Sequence, residues 1–181
     1  MAAPYSASQL RQIHADALRQ RTLERRRASR ALFALGAGAG LDGRWAAQVW
    51  ARDVTVSKGV VLVQVGEPAP RSVPVLAHWE AEMTELADSG GDELLVGGHS
   101  TSRNRASSLI SRLEVPPGHP KLSLARLRST WLIWHLAAGT RLPELAAAAG
   151  LQGVAMLSDL LEFVPALPQA DAQQILRGAD T

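Results

Sequence analysis

The stretch SLARLRSTWLIWHLAAGTRLPELAAAAGLQGVAMLSDLLEFV, Ser123 to Val164, decides how the chain is read. Its residue spacing predicts three helices punctuated by glycines. The first spans about Leu124 to Ala138, with Leu124, Leu127, Trp131, Trp134 and Ala138 on one stripe. Leu132, Ile133 and Leu136 spread round its other sides, so this helix is expected to be central. Gly139 can supply its left-handed end. Pro143 suits the first turn of the second helix and Gly150 ends it. The third is expected over Val154 to Phe163, before Pro165. Arg128 lies at the edge of the buried stripe, where a guanidinium is costly unless an anion meets it. That anion is either one of the chain's own carboxylates or a bound phosphate, whose oxygens match the arginine fork.

Working outward, 181 residues at 46% apolar content suit one globular domain. No run approaches the ~20 apolar residues of a membrane span, and no signal peptide is recognisable, so the expected compartment is the cytoplasm. Cysteine is absent, which excludes disulfides, thiolate metal sites and a cysteine nucleophile. The five histidines (14, 78, 99, 119 and 135) lack metal-ligand spacing, and no G-x-S-x-G occurs. No metal or cofactor is expected.

Charge is unevenly distributed. Residues 1–30 hold seven arginines against Asp16 and Glu24, and residues 31–100 hold four cations against nine acids. Residues 101–128 are basic again, with Arg103, Arg105, Arg112, Lys121, Arg126 and Arg128 against Glu114. Beyond Arg141 the only cation is Arg177. Arginine-rich segments of this kind suit phosphate.

The remaining elements follow in order. Residues 7–36 read as helical throughout. Gly38, Gly40 and Gly43 form a formal G-x-G-x-x-G, but no strand precedes them and no βαβ alternation follows. Gly36–Gly43 is therefore expected to be a turn between helices. A short helix from Arg44 to Ala51 leads into three strands, Asp53–Ser57, Val60–Val65 and Ser72–Leu76, forming an antiparallel meander. His78 to Ala87 is an acidic helix with Glu80 and Glu82 on a solvated face. Leu94–Val96 is extended, Ser102–Leu113 is a basic helix, and Gln169–Leu176 is a last short helix. The fold class is α+β, mainly helical, with a small three-stranded antiparallel sheet and Trp131 and Trp134 beneath it.

This order resembles the catalytic domain of the tyrosine recombinases, the phage-integrase family. Gly40-Leu41, a helix and then Asp53-Val54 look like the family's T-G-L-R, helix, strand opening. Arg71-Ser-Val-Pro-Val75 resembles its basic third strand. Leu127-Arg128-Ser129-Thr130-Trp131 resembles the L-R-H-T-F core of H-x-L-R-H-T-F. The similarity covers about residues 8–164, with 165–181 a tail and no room before it for the family's core-binding domain.

The resemblance implies an active site of a tyrosine nucleophile, two arginines, a lysine and two histidines. Carried over, the first arginine falls on Asp42, the lysine within Gly66–Pro70, which has none, and the histidines on Ala125 and Leu151. The tyrosine falls on Leu160. Only Arg128 matches, and a leucine cannot form a phosphotyrosyl link. The expected function is thus a catalytically inactive, recombinase-like protein that binds double-stranded DNA through Arg103, Arg105, Arg112, Lys121, Arg126 and Arg128. It would accompany or regulate recombination or integration of a mobile element, with a partner recombinase. The resemblance also implies a C-terminal helix passed to a second copy. The alternative is a protein-interaction module that keeps the fold without DNA. A helix-turn-helix over Leu145–Leu151 and the following helix is disfavoured, because its recognition helix would carry no cation.

Overall fold

The computed structural model describes residues 1–102 and 104–178. Helix α2 (Leu23–Ala39) forms the axis of the molecule and packs against α1 (Ala7–Leu18), α4 (Glu80–Asp88) and α6 (Leu124–Ala137). Leu32, Phe33, Leu35, Leu127, Trp131 and Leu132 are sealed at that centre, and each such side chain contributes about 1.5–3 kcal/mol on burial.

Residues 7–36 are not one helix. Ser6 caps α1 through a reciprocal pair with Gln9, and Thr22 caps α2 by accepting from the Arg25 amide, so the chain breaks between Leu18 and Leu23. Nor is Gly36–Gly43 a turn. Helix α2 runs on through Gly36 and Gly38, because missing Cβ atoms let neighbours close in. A Cβ at Gly36 would lie 2.8 Å from Leu127, and one at Gly38 2.9 Å from Trp79. The helix ends at Gly40, at φ +62°.

Asp42 then caps a four-residue helix, α3 (Gly43–Ala46), shorter than the Arg44–Ala51 expected. The meander follows as β1 (Val54–Ser57), β2 (Val60–Val65) and β3 (Arg71–Pro74), antiparallel in sequence order. Val63 sits opposite Val54 on one side and Val73 on the other. Alternation buries Val61, Val63, Val65 and Val73 on the inner face and leaves the other face to solvent. Leu94 makes only an isolated bridge to Trp50.

Helix α4 is not simply solvated on its acidic face. Glu80 accepts from the Val61 amide, and Glu82 is ion-paired with Arg30 (2.8 Å) and hydrogen-bonded to His14 (2.9 Å). The basic helix, α5 (Arg105–Ser111), is shorter than expected. In the C-terminal half, α6 and α7 (Leu142–Ala149) end at Gly139 and Gly150 as anticipated, both at positive φ. Val154–Phe163 is a run of 3-10 turns, burying only Leu157 and Leu160, rather than an α-helix. Helix α8 (Gln169–Arg177) buries none of its residues. Trp131 is enclosed, but against Gly40 rather than under the sheet, and Trp134 is 48% exposed. The stripe expected on α6 is rotated because Arg128 and Ser129 are inside and Trp134 outside.

Among the described residues, no single helix is long and apolar enough to cross a membrane.

Candidate functional site

Three segments converge where α2 ends. Gly40 must be glycine twice over, for its positive φ and because a Cβ would lie 2.3 Å from the Trp131 ring. That close approach brings the Gly40 carbonyl to Arg128, whose Nη1 donates to it at 2.6 Å. Nη2 of Arg128 donates to the Ala149 carbonyl at 2.7 Å. The guanidinium is buried. No carboxylate of the chain bonds to it among the described residues; it donates instead to carbonyls at the ends of α2 and α7.

A second guanidinium reaches the same turn. Arg71, first residue of β3, donates through Nε to the Ala148 carbonyl (3.0 Å) and through Nη1 to Ala69 (3.1 Å). Its Cζ lies 5.2 Å from the Trp45 ring centroid. Its Nη2 is buried and has no hydrogen-bond partner. Burial and the neighbouring Arg128 both lower the pKa of Arg71, while Asp42 raises it. Burial likewise lowers that of Arg128, again against Asp42. Among the described residues Asp42 is the single carboxylate acting on the pair, and its Oδ1 also accepts from the Arg44 (3.0 Å) and Trp45 (3.4 Å) amides. Two guanidiniums thus share one partly committed carboxylate, leaving excess positive charge and an unused donor.

The other positions singled out in the sequence are scattered. Arg126 and Arg128, two residues apart on α6, point about 200° away from each other. Arg126 donates to the carbonyls of Ala3 (3.0 Å) and Pro4 (3.1 Å) and to Gln9 Oε1 (3.2 Å), with its Cζ 3.8 Å from the Tyr5 ring centroid. It pins the N-terminal segment to α6. Arg105, expected to be exposed, is half-buried, with Nη2 on the Gly97 carbonyl. Arg112 is exposed but folds back onto Ser108 (3.1 Å to the carbonyl, 2.7 Å to Oγ). Lys121 is exposed and its ammonium has no partner among the described residues, and Arg103 lies outside them.

Of the positions that resemblance assigns to catalysis, Asp42 and Arg128 lie in this cluster. Ala125 is exposed, and Glu67 occupies the turn where a lysine would be needed. Leu160 is fully buried. The sole tyrosine, Tyr5, is buried and donates its hydroxyl to the Lys121 carbonyl at 2.5 Å. Among the described residues no tyrosine stands at this cluster. Sequence reasoning missed Arg71, which read only as the basic start of a strand.

A helical body, a three-stranded antiparallel meander and a buried arginine on the central helix are the features by which the fold can be compared with known structures. The chain has the fold of the tyrosine-recombinase catalytic domain, as structural comparison shows. It is similar to XerA recombinase at a TM-score of 0.63 and 14% identity, covering 100% of this chain and 64% of that one. It is similar to XerH recombinase bound to a palindromic difH substrate at 0.64 and 14%, covering 97% and 53%. The catalytic domain of bacteriophage HP1 integrase aligns at 0.58 and 15%, covering 98% and 95%. The chain thus spans 53–64% of the two Xer recombinases and nearly all of the isolated integrase domain. No family model and no curated protein matches it.

Proposed function

We propose that this chain is a catalytically inert, recombinase-like domain that binds duplex DNA weakly and does not cut it. The observation that carries the reading is the pair Arg71 and Arg128, set against one carboxylate with Arg71 Nη2 unused. A DNA phosphate would complete that cluster, because it accepts from forked guanidinium donors and offsets their excess charge. Exposed Arg44, Arg52, Lys58, Arg112 and Lys121 would add sequence-independent attraction. Chemistry is missing for a separate reason: Leu160 has no oxygen and no solvent access. Solved relatives of the fold include XerH with difH DNA and Tn1549 integrase with circular intermediate DNA. A role beside an active recombinase, in regulating or accompanying integration, suits such a module.

The test is a salt titration of duplex binding with covalent adducts assayed in parallel. Binding should weaken with a log–log slope of about −0.9 per phosphate neutralised, and Arg71→Ala should reduce both affinity and slope. A covalent adduct would overturn inertness; salt-independent or absent binding would overturn the DNA role.

A second reading has its own observation. Val154, Met156, Leu161, Phe163, Leu167, Ile175 and Leu176 are all at least 40% exposed in the C-terminal segment. Such a surface suits a protein partner, including a second copy receiving α8.

A further inference from the structure

Beside Arg71, a cavity of about 250 Å³ opens between the segment 45–53 and the turn that joins β2 to β3. Its aromatic and polar lining is Trp45, Gln48, Trp50, Asp53, Gln64 and Glu67. Trp45 and Trp50 are half-buried, so part of each indole stays accessible. The polar groups are only partly used. Asp53 accepts from the Trp50 amide through Oδ2 at 2.8 Å, which fixes its carboxylate, while Oδ1 has no partner among the described residues. Gln64 donates to the Thr55 hydroxyl at 3.1 Å, and its Oε1 accepts nothing there. The side chains of Gln48 and Glu67 bond to nothing among the described residues.

The surrounding charges decide what such a cavity can take. Three guanidiniums lie over its indoles: Arg44 at 4.9 Å and Arg71 at 5.2 Å from the Trp45 ring centroid, and Arg52 at 4.6 Å from that of Trp50. A further cation would be repelled by them, and a free anion inside would face Asp53 and Glu67. A neutral planar ring with N–H donors meets neither objection, because it can stack on indole and donate to the open carboxylate and carboxamide oxygens. Trp45 also ties the cavity to the arginine pair, since it carries Arg71, whose Nη2 is buried without a partner. We propose that the cavity receives one nucleobase lifted out of the duplex, with the adjoining phosphate on Arg71. Guanine suits the lining best: its Watson–Crick edge sets a ring N–H beside an amino group, two donors that the Asp53 carboxylate can accept. The inference rests on the DNA reading. It adds a preference for duplexes in which a guanine is already unpaired, where lifting it out costs least.

The experiment compares four duplexes of one sequence by fluorescence anisotropy: fully paired, and carrying an extra unpaired guanine, an extra unpaired thymine or an extra abasic spacer. The guanine duplex should bind about tenfold or more tightly than the paired one and quench tryptophan emission. Thymine should gain less, and the spacer, which bends the duplex without supplying a base, should gain nothing. Asp53→Asn keeps an acceptor for the Trp50 amide, and should lose the guanine gain without lowering affinity for the paired duplex. Trp50→Leu should lose the gain for both bases. If Trp50→Leu fails to fold, Asp53→Asn and the spacer still decide the matter. Equal binding of the guanine and spacer duplexes overturns the base site while leaving the DNA reading standing. An undiminished guanine gain in Asp53→Asn overturns it too, and no binding of any of the four overturns both.

Discussion

Arg71 from β3 and Arg128 from α6 donate to consecutive carbonyls of α7, those of Ala148 at 3.0 Å and Ala149 at 2.7 Å. The sheet, the central helix and the C-terminal half are thus joined at one turn. Two like charges hold it, through neutral acceptors. That arrangement has consequences for stability as well as for binding.

Arg128→Ala should destabilise the domain by about 2–4 kcal/mol, since it strands the Gly40 and Ala149 carbonyls in the interior. Arg128→Met, which refills the volume, should cost less. Urea unfolding of both variants measures the difference. Equal stability of wild type and Arg128→Ala would show that the buried guanidinium contributes nothing net.

Gly150 closes α7 at φ +64°, and a Cβ there would lie 2.9 Å from Arg71 Cζ. Gly150→Ala should therefore cost about 1–2 kcal/mol, from the left-handed backbone and the clash together. In an Arg71→Ala background the clash is gone and the cost should shrink. A double-mutant cycle reads that coupling directly.

Restoring the missing nucleophile alone should fail. Leu160 is fully enclosed, so Leu160→Tyr overpacks the core by about 1–3 kcal/mol rather than presenting a hydroxyl to DNA. Asp42→Arg, by contrast, should tighten duplex binding, because it replaces the one carboxylate beside the pair with a further phosphate ligand. Nicked-substrate assays on both variants should show no covalent adduct.

Stability should fall on acidification in two stages. Burial lowers the pKa of His135, whose ring lies 4.3 Å from that of Trp131. Below about 6.5 the unfolded chain takes up the imidazole proton first, so this contribution is full above that pH and is lost as pH falls toward the lower folded value. His135→Phe should flatten this stage. Burial alone would raise the pKa of Glu82, but its bonds from His14 and Arg30 outweigh that and hold it below the usual range. Its contribution is present above about 4.3 and disappears as pH falls through the folded pKa. Urea midpoints measured across the acid range, for wild type and Glu82→Gln, separate the two.

If α8 docks on a second copy, sedimentation should show a concentration-dependent increase in mass. Ile175→Asp with Leu176→Asp should abolish it without lowering the melting temperature, because α8 buries nothing in its own domain. A monomer at all concentrations would count against the exchange.

Much of this architecture was legible in the chain. The apolar richness of 124–138, the alternation of Val60–Val65 and the glycines at 139 and 150 each encode local geometry through periodicity or backbone freedom, and these elements form where expected. That Asp42, Ala125, Leu151 and Leu160 depart from the residues the resemblance would place there is a matter of residue identity alone. Tertiary packing decided the rest. Gly36 and Gly38 read as a turn, yet they keep a helix intact, because what matters there is the approach of Leu127 and Trp79 from distant segments. Among the basic residues of 101–128, helical geometry turns Arg126 away from Arg128, and neighbouring carbonyls capture Arg105 and Arg126. Arg71 became part of the site only through the strand that carries it past α7. Local composition specifies which groups are charged; only the fold decides which of those charges face each other and which are already satisfied.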